Sequence, residues 1–594
     1  MRIETKNEAQ RLEFFKALFQ CAENSYRGKL DDFDRAMKQY KGSTEIDGSS
    51  EAAITVRNIT YEIVESQVSS AIPSPKADAA SYSERRARNA TSIERLCRSI
   101  RSRQPFDEMN DMDERYTYIY GGSVWYIDWD NESEYMGEVG GVRVECISPC
   151  NFIPQPSIYE IDDMEYCFLK FITTRSELTR RYGIPEDRTS LAEYECEYED
   201  SLDASDTVKT VTCFYRDDDG EIGRFIFSGD LTLSDLPKYY MRKENRCTEC
   251  GENEEMCRCR KKKIKAVDVV NERIFAHPLL GIEPKSLHAS PLDRSDRQFK
   301  SEYVSEIPYY VPRLFPIVIR KNTSAEKELF GQSDCDYVRP EQQAINKVES
   351  RILQKLLRAG ITPIVPEDAS ISLNNSVFGQ VIKMKPGETA AQYGKVDTTP
   401  DISQDIAEAE RLYDHAKRVI GISDAFQGVD TGSYAESGYA KQLRINQASG
   451  RLESKKKMKH TAYARIDKII FSLYLAFADE PRMLSYKDAY GRIHESEFSR
   501  YDFIEYDPKR QKYFYDDAYL FSVDLNGGNE YQREALWQRN LENLKAGTLG
   551  DPSSPVTLLR YWQCQERAHY PYARENVEYF TDVQNNEGGE SFEN

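Results

Sequence analysis

The chain has 594 residues, of which 39% are hydrophobic and 30% are charged; such a composition supports a large hydrophobic core and excludes a disordered chain or a small disulfide-stabilised protein. Its 80 basic and 100 acidic residues give a formal charge of −20, which argues against a protein that coats DNA by neutralising phosphates. The mean hydropathy of −0.69 and the lack of an apolar run of about 18 residues argue against a membrane span.

The N-terminus and the cysteines indicate an intracellular site of synthesis. Met1-Arg2-Ile3-Glu4 leads into a charged amphipathic stretch and lacks the apolar segment of a secretory signal. Thirteen cysteines are an odd number, and nine of them are scattered without a paired spacing, as expected for reduced thiols. We therefore expect the protein to be made in the cytoplasm.

In chain order, the first hundred residues predict helices. An apolar stripe in residues 12–19 predicts one helix, and a second stripe in residues 56–72 predicts another that ends at Pro73. From Tyr116 the apolar period changes to two, so residues 116–128 predict a β-hairpin around Gly121-Gly122.

Strands are predicted to dominate from that hairpin to about residue 230. The run Asp217 to Gly220 separates residues 211–215 from 224–227, as the turn of a second hairpin should. The acidic run 128–132 resembles part of a calcium loop but lacks its glycine, and we interpret it as a turn.

The second half of the chain predicts three helices separated by irregular segments. Residues 339–360 form the first helix, residues 361–401 contain short strands and turns, and residues 402–422 form the second helix. A loop rich in Gly, Ser and Asp covers residues 423–437. The next 41 residues, 438–478, contain no proline and predict a helix about 60 Å long.

The C-terminal part returns to strands and then to helices. Aromatic residues in 506–521 predict strands, one of which carries the basic run 509–512 and is half-buried. Leucines 541, 544, 558 and 559 predict helices, and the polar residues 583–594 predict a disordered acidic tail.

The two shorter helices carry opposite charge. Residues 336–360 contain five basic and three acidic side chains, and residues 401–422 contain five acidic and three basic ones. The two helices could lie alongside each other within one chain, or the acidic helix of one subunit could match the basic helix of the next and close a ring. We favour the ring, with contacts between subunits by Arg351, Lys355, Arg358, Asp405, Glu408 and Asp414.

Four cysteines predict a structural zinc site. Cys247, Cys250, Cys257 and Cys259 lie within 13 residues, and four thiolates at such a spacing suit tetrahedral Zn²⁺. Gly251 relaxes the backbone after the first pair. The alternative is four unrelated reduced thiols, since the Cys-x-Cys half is tighter than the usual Cys-x2-Cys.

No catalytic signature is present. The sequence lacks a P-loop, the zinc-protease motif H-E-x-x-H, the hydrolase motif G-x-S-x-G and the Rossmann glycine pattern. Six histidines are spread through the chain without paired spacing, so we expect no catalytic residue and no enzymatic activity. The lysine run 455–459 is interpreted as a solvated helix face rather than a DNA-binding patch.

Several segments in order resemble the portal proteins of tailed double-stranded DNA bacteriophages, the head-tail connectors of these viruses. The resemblance covers most of residues 50 to 480. The segments are Asn58-Ile59-Thr60, Gly121-Gly122 with Trp125, Val144-x-Cys146-Ile147-Ser148-Pro149-x-Asn151-Phe152, Thr174-Arg175-Ser176-Glu177-Leu178, Phe330-Gly331-x-Ser333, Arg339-Pro340-Glu341-Gln342, Asn346-Lys347, Gly421-Ile422-Ser423-Asp424-Ala425-Phe426-Gln427-Gly428 and Ser437-Gly438-x-Ala440. The cysteine cluster is not part of this resemblance.

The resemblance implies an α+β subunit of a portal-type ring. Its parts are an α/β wing in 1–335 that carries the zinc knuckle at 245–262, stem helices at 336–360 and 402–422, a small β-containing clip at 361–401, a tunnel loop at 423–437, a long helix that crosses from tunnel to wing and a second wing part in 438–525, a helical crown at 526–582 and the tail at 583–594.

The resemblance also implies the function. A dodecameric ring would sit at one capsid vertex, where it nucleates capsid assembly with the major capsid and scaffolding proteins. It would dock the terminase large subunit during viral DNA packaging, and would later join neck or tail proteins during genome ejection. The protein would then be found in the virion, and in the host cytoplasm during assembly.

The tunnel loop would line the narrowest part of the DNA channel. Its acidic side chains would repel phosphates, its neutral polar ones would contact DNA without sequence specificity, and its glycines would permit movement. These residues are Asp424, Gln427, Gly428, Asp430, Gly432, Ser433, Tyr434 and Glu436. Two other functions stay open: a zinc-containing nucleic-acid-processing enzyme, and a monomeric scaffold or adaptor.

Overall fold

A computed structural model gives the fold. It describes residues 7–43, 56–81, 83–135, 137–194, 207–241, 243–247, 264–268, 271–277, 282–286, 304–358, 361–364, 394–397, 401–422, 438–478, 480–487, 493–524 and 530–567, with short pieces up to residue 580. The predicted acidic tail lies outside these residues.

Helices and strands alternate irregularly along the described chain, as an α+β protein requires. The helices are α1 (Glu8–Tyr40), α2 (Ile59–Glu65), α3 (Glu84–Arg103), α4 (Phe106–Tyr120), α5 (Arg175–Tyr182), α6 (Asp334–Arg358), α7 (Ser403–Ile420), α8 (Gly438–Phe477), α9 (Glu530–Lys545) and α10 (Pro555–Arg567).

The strands are short except for one hairpin. They are β1 (Ser74–Ala79), β2 (Gly122–Tyr135), β3 (Glu138–Ile147), β4 (Phe152–Pro154), β5 (Tyr166–Thr174), β6 (Glu193–Tyr194), β7 (Thr207–Arg216), β8 (Ile222–Ser228), β9 (Leu231–Leu236), β10 (Lys243–Cys247), β11 (Ile264–Asp268), β12 (Asn271–His277), β13 (Ile282–Ser286), β14 (Val304–Pro308), β15 (Ile317–Lys321), β16 (Ile361–Ile364), β17 (Gly394–Asp397), β18 (Arg482–Lys487), β19 (Ile493–Phe498), β20 (Ile504–Asp507), β21 (Lys512–Tyr515) and β22 (Tyr519–Asp524).

Two antiparallel sheets organise the body. One has the order β15-β2-β3, and the other has six strands in the order β4-β5-β7-β8-β9, with β6 paired to β7. The predicted hairpin around residues 217–220 is confirmed, because β7 and β8 pair from Val211 opposite Phe227 to Arg216 opposite Ile222.

Each sheet buries a different helix. The C-terminal half of α8 lies in the main core, where Tyr463 meets Trp125 of β2 with ring centroids 5.5 Å apart. Helix α1 covers the six-stranded sheet, and its Phe15 stacks on Phe225 at 4.5 Å. Fully burying such side chains stabilises the fold by about 1.5–3 kcal/mol each, so these two helices hold the body together.

The prediction of a strand at residues 116–120 is wrong. These residues form the last turns of α4, and Gly121 ends the helix in the left-handed conformation with φ 85°. Tyr116 and Tyr120 contact each other at 5.7 Å, as residues four apart on a helix do. The spacing of the two tyrosines fits both the period of a strand and one turn of a helix. The hairpin in this region is formed by β2 and β3.

Two helix bounds also differ from the predictions. Helix α2 ends at Glu65 rather than near Pro73, and Pro75 lies within β1. Helix α6 begins at Asp334, before the predicted Arg339, and contains Pro340. It begins there because Ser333 Oγ accepts a hydrogen bond from the Cys335 N–H at 3.0 Å, as a helix-capping serine does.

The remaining helix and strand predictions agree more closely with the structure. Helix α7 and the 40-residue α8 match the predicted second and third helices, and β21 alternates exposed and buried side chains as predicted for a half-buried strand. The acidic run 128–132 is not a turn, because it continues β2.

Candidate functional site

Helices α6 and α7 form an antiparallel pair, here called the stem pair. Val348 and Ile352 of α6 pack against Ala409 of α7. Nearer the body, Val338 and Ile345 of α6 share a cluster with Ala416, Ile420 and Ile422. The β16–β17 ladder joins the other end of the pair, with Ile361 opposite Asp397. The apolar seam therefore runs along the pair and positions its charged side chains.

Asp405 pairs with two cations of α6 within the chain. Its Oδ1 atom lies 2.6 Å from Arg351 Nη2, and Lys355 Nζ contacts Oδ2. The hydrogen bond from Lys355 is the main cause that lowers the pKa of Asp405, and Arg351 adds to it. The structure therefore contains the first alternative, a contact between the oppositely charged helices within one chain. A contact between subunits stays a prediction.

The other predicted stem charges have different surroundings. Glu408 pairs with Arg411 on the same helix at 2.6 Å, and Asp414 is exposed. The side chain of Arg358 lies outside the described residues. These carboxylates of α7 thus face solvent in the single chain, where another subunit can reach them.

The stem pair also exposes large apolar side chains. Tyr337 and Leu356 of α6 are 42% and 49% exposed, and Ile406 and Val419 of α7 are 46% and 42% exposed. Exposed apolar side chains mark an interface when they form a contiguous patch, so these four positions are candidates for contact with another subunit. The sequence prediction considered only the charges of this surface and missed its apolar part.

Arg57, just before α2, ties the stem pair to the body. Its guanidinium lies 3.0 Å from Glu410 and 3.7 Å from Glu349, and it covers the Tyr413 ring at 4.8 Å. This contact uses one carboxylate from each stem helix. The two helices therefore meet the body as a unit.

A second group of charges, here called the buried junction, was missed by the sequence analysis. Asp113 and Glu114 of α4 both accept hydrogen bonds from Arg320 of β15, and Lys459 of α8 lies 2.9 Å from Glu114 Oε1. All four side chains are at most 6% exposed. Burial raises the pKa of Glu114, but Arg320 and Lys459 outweigh it and lower that pKa below its ordinary value.

The buried junction continues to the first residue of α6. Lys455 Nζ lies 2.6 Å from Asp334 Oδ2, which also accepts from Gln67 Nε2 at 2.8 Å. The interpretation of the lysine run as a solvated face is therefore wrong for Lys455 and Lys459 and right for Lys457, which is 70% exposed. Three carboxylates and three cations thereby connect α4, β15, α6 and α8.

The tunnel loop and most of the cysteine cluster lie outside the described residues. The loop follows Gly421, which ends α7 with φ 89°, and precedes α8. Cys247 is buried at the end of β10, and Cys250, Cys257 and Cys259 fall in residues 248–263. Because Cys247 pairs with Ile264 in the β10–β11 ladder, the two ends of this segment meet, as a compact zinc site within it would require.

The sequence matches no protein-family model and no curated protein. Over the part of the chain that the structure describes, no helix is both long and apolar enough to cross a membrane.

Proposed function

We propose that this chain is the subunit of a portal-type ring that conducts double-stranded DNA. The observation that carries the proposal is the order and packing of α6, the β16–β17 ladder, α7 and α8. Two antiparallel helices are joined by a segment with a small sheet, and a 40-residue helix then returns into the body. This order supports a stem, a clip, a second stem helix and a long helix that crosses from tunnel to wing.

The surface of the stem pair supports assembly into a ring. A closed ring uses a heterologous interface, in which two different surfaces of each subunit meet. The exposed apolar residues Leu356 and Ile406 lie on different helices. Charge adds selectivity, since α7 exposes Glu408 and Asp414 while α6 is basic.

The net charge supports passage of DNA without tight binding. Twelve copies at −20 each would carry about −240, and a duplex bearing one phosphate per about 1.7 Å slides most easily along a surface that does not attract it. The acidic residues predicted for the tunnel loop, Asp424, Asp430 and Glu436, fit this requirement. The proposed role needs no chemistry on the DNA, and the protein is proposed not to be an enzyme.

The proposed partners follow from the position of such a ring. It would sit at one vertex of the capsid, in contact with capsid and scaffolding proteins. The terminase large subunit would bind during packaging, and neck or tail proteins would replace it in the finished virion. The clip, residues 361–401, is the part of the chain proposed to contact the terminase.

The cysteine cluster is proposed to hold one structural Zn²⁺. Four thiolates provide the complete tetrahedral set, which leaves no open position for catalysis. Metal analysis of metal-replete protein should then give one zinc per chain. Less than one zinc per chain would reject the site, and Cys257→Ser provides the variant in which the metal should be lost.

Electron microscopy of the purified protein tests the proposed ring directly. We expect rings with an open centre, and we expect Leu356→Glu combined with Ile406→Glu to yield single subunits. The control is Ile493→Glu, because Ile493 on β19 is 66% exposed and lies outside the stem pair. Sedimentation of the wild type as a single copy in every buffer would overturn the proposal.

A deletion in the tunnel loop distinguishes a role in DNA passage from a role in ring assembly. Removing residues 428–434 of the tunnel loop should leave rings intact and reduce packaging or retention of DNA. A matched deletion in the acidic tail, residues 586–592, should affect neither. Loss of the rings in the loop deletion would show that this segment maintains the assembly instead.

A further inference from the structure

A cavity of about 220 Å³ lies between the two sheets of the body. The β2–β3 hairpin forms one wall, strands β5, β7 and β8 form the other, and α5 closes one side. It lies on the face of the six-stranded sheet opposite to α1. The portal-type function proposed above does not use this cavity.

The charges that line the cavity nearly cancel in pairs. Arg224 Nη1 lies 3.1 Å from Asp128 Oδ2, Arg181 Nη1 lies 4.0 Å from Glu177 Oε1, and Arg143 contacts Glu145. A fourth carboxylate, Asp130, is half-buried and accepts a hydrogen bond from a backbone N–H of its own strand, that of residue 132, at 3.0 Å.

The hydrogen-bonding groups of the cavity are only partly used. Asp128 is fully engaged, because it accepts from Tyr126 Oη at 2.7 Å, from Tyr239 Oη and from the Trp129 N–H. The Nε atom of Arg224, by contrast, is buried without a hydrogen-bond partner. A buried donor of this kind is destabilising while it has no acceptor.

Apolar surface fills the spaces between these polar groups. The rings of Tyr126 and Phe171 lie 5.6 Å apart, and Tyr182 and Ile226 add to the wall. Small-molecule sites generally combine such walls with a few placed polar groups. Pockets for drug-sized ligands occupy about 300–1,000 Å³, so this cavity suits a smaller molecule.

We propose that this cavity is a binding site for a neutral polyhydroxylated ligand of monosaccharide size. An anion would meet four carboxylates, and a cation would meet three guanidinium groups. A hydroxyl donates to a carboxylate and accepts from an arginine at the same time, which matches the paired charges. The C–H face of a sugar ring would lie against Phe171 or Tyr182.

Saturation-transfer NMR with glucose, galactose and mannose tests the site. At least one hexose should bind in the millimolar range, with little dependence on salt up to about 0.5 M because the ligand is uncharged. Arg181→Ala should weaken the binding about ten-fold, as expected for the loss of a hydrogen bond from a charged donor. Arg180→Ala is the matched control, because Arg180 is exposed on the same helix and does not line the cavity.

The results for the three hexoses, the ionic probes and the two arginine variants decide whether the proposal stands. Failure of all three hexoses to bind would overturn the proposal, as would equal loss in both arginine variants. Binding of acetate or guanidinium at the cavity with no hexose binding would also overturn it, because the site would then be ionic. Thr173→Val is a second variant that should weaken binding, since Thr173 lines the cavity and donates to Glu177 at 2.8 Å.

Discussion

The buried junction and the stem pair both join helices through ion pairs, but in opposite surroundings. Arg320 and Glu114 in the junction are each 1% exposed, whereas Arg351 in the stem pair is 56% exposed. A buried charge that loses its partner cannot be solvated, and an exposed one can. The junction therefore fixes α6 and α8 to the body. In the stem pair Asp405 is only 8% exposed, whereas the exposed charges, such as Arg351 and Asp414, remain available to another subunit.

Removing one partner from the buried junction should have the largest effect on stability. Glu114→Ala leaves Arg320 and Lys459 facing each other with a single carboxylate, Asp113, and we expect the free energy of unfolding to fall by about 3–5 kcal/mol. Urea denaturation followed by circular dichroism measures this change. Glu108→Ala is the matched control on the same helix, where the side chain is exposed, and should change little. Equal effects of the two substitutions would contradict the distinction between buried and exposed charge.

Gly121 offers a second test, in which backbone strain rather than charge is varied. Gly121 has φ 85°, and a Cβ atom there would lie 2.5 Å from the Gly331 carbonyl oxygen. We expect Gly121→Ala to lower the free energy of unfolding by about 2–4 kcal/mol.

The matched control for this substitution is Gly183→Ala. Gly183 also has a left-handed φ of 63°, but a Cβ atom there would meet nothing within 4 Å. Gly183→Ala should lower the free energy of unfolding only by the penalty of placing alanine in the left-handed conformation, about 1–2 kcal/mol. If the two alanines cost the same in urea denaturation, the contact between Gly121 and Gly331 is not tight in solution.

The pH dependence of stability tests the same junction with a smaller perturbation. Because Arg320 and Lys459 hold the folded-state pKa of Glu114 below its ordinary value of 4.5, the ionised carboxylate stabilises the fold above that value. This contribution is lost as pH falls through the folded-state pKa. The stability difference between wild type and Glu114→Gln should thus be constant above about pH 5.5 and shrink below about pH 4.5. A difference that grows in acid would show that the folded-state pKa of Glu114 is raised rather than lowered.

The helices with one clear apolar period were predictable from the sequence, and residues 116–120 were not. Tyr116 and Tyr120 are two strand periods apart and also four residues apart, so pattern alone could not separate strand from helix. Asp113 and Thr117 continue the buried helical face, but polar residues do not contribute to an apolar stripe. Ser333 is the helix-capping residue of α6. The prediction nevertheless placed the start of this helix at Arg339, because Pro340 follows it.

The buried junction could not be predicted because its partners are distant in sequence. Lys455 and Asp334 are 121 residues apart, and a lysine run on a helix is usually solvated. One local signal existed, since Lys459 precedes the buried Tyr463 by one helical turn and therefore lies on the buried face. The oppositely charged helices α6 and α7, in contrast, lie close in the chain. Their charge pattern predicted contact between the two helices within one chain as one of two alternatives, although the ring was the alternative favoured.

The stem charges should affect stability least and assembly most. Arg351→Glu with Lys355→Glu places two carboxylates opposite Asp405 in the same chain, and both positions are open to solvent. We expect the free energy of unfolding to fall by only about 1 kcal/mol, because the two substituted positions can be solvated although Asp405 itself is 8% exposed. The proportion of rings, measured by analytical ultracentrifugation, should fall.

Adding Asp405→Lys to this double variant separates the two alternatives for the stem charges. The triple variant restores opposite charges within each chain, and because Asp405 is only 8% exposed, another subunit has little access to it. If it also restores the rings, the contact within the chain determines assembly and the acidic residues Glu408 and Asp414 are not needed between subunits. If the rings stay absent, the basic face of α6 meets another subunit, because only that contact still carries the reversed charge. Intact rings in the double variant would exclude both roles and leave assembly to the apolar residues Leu356 and Ile406.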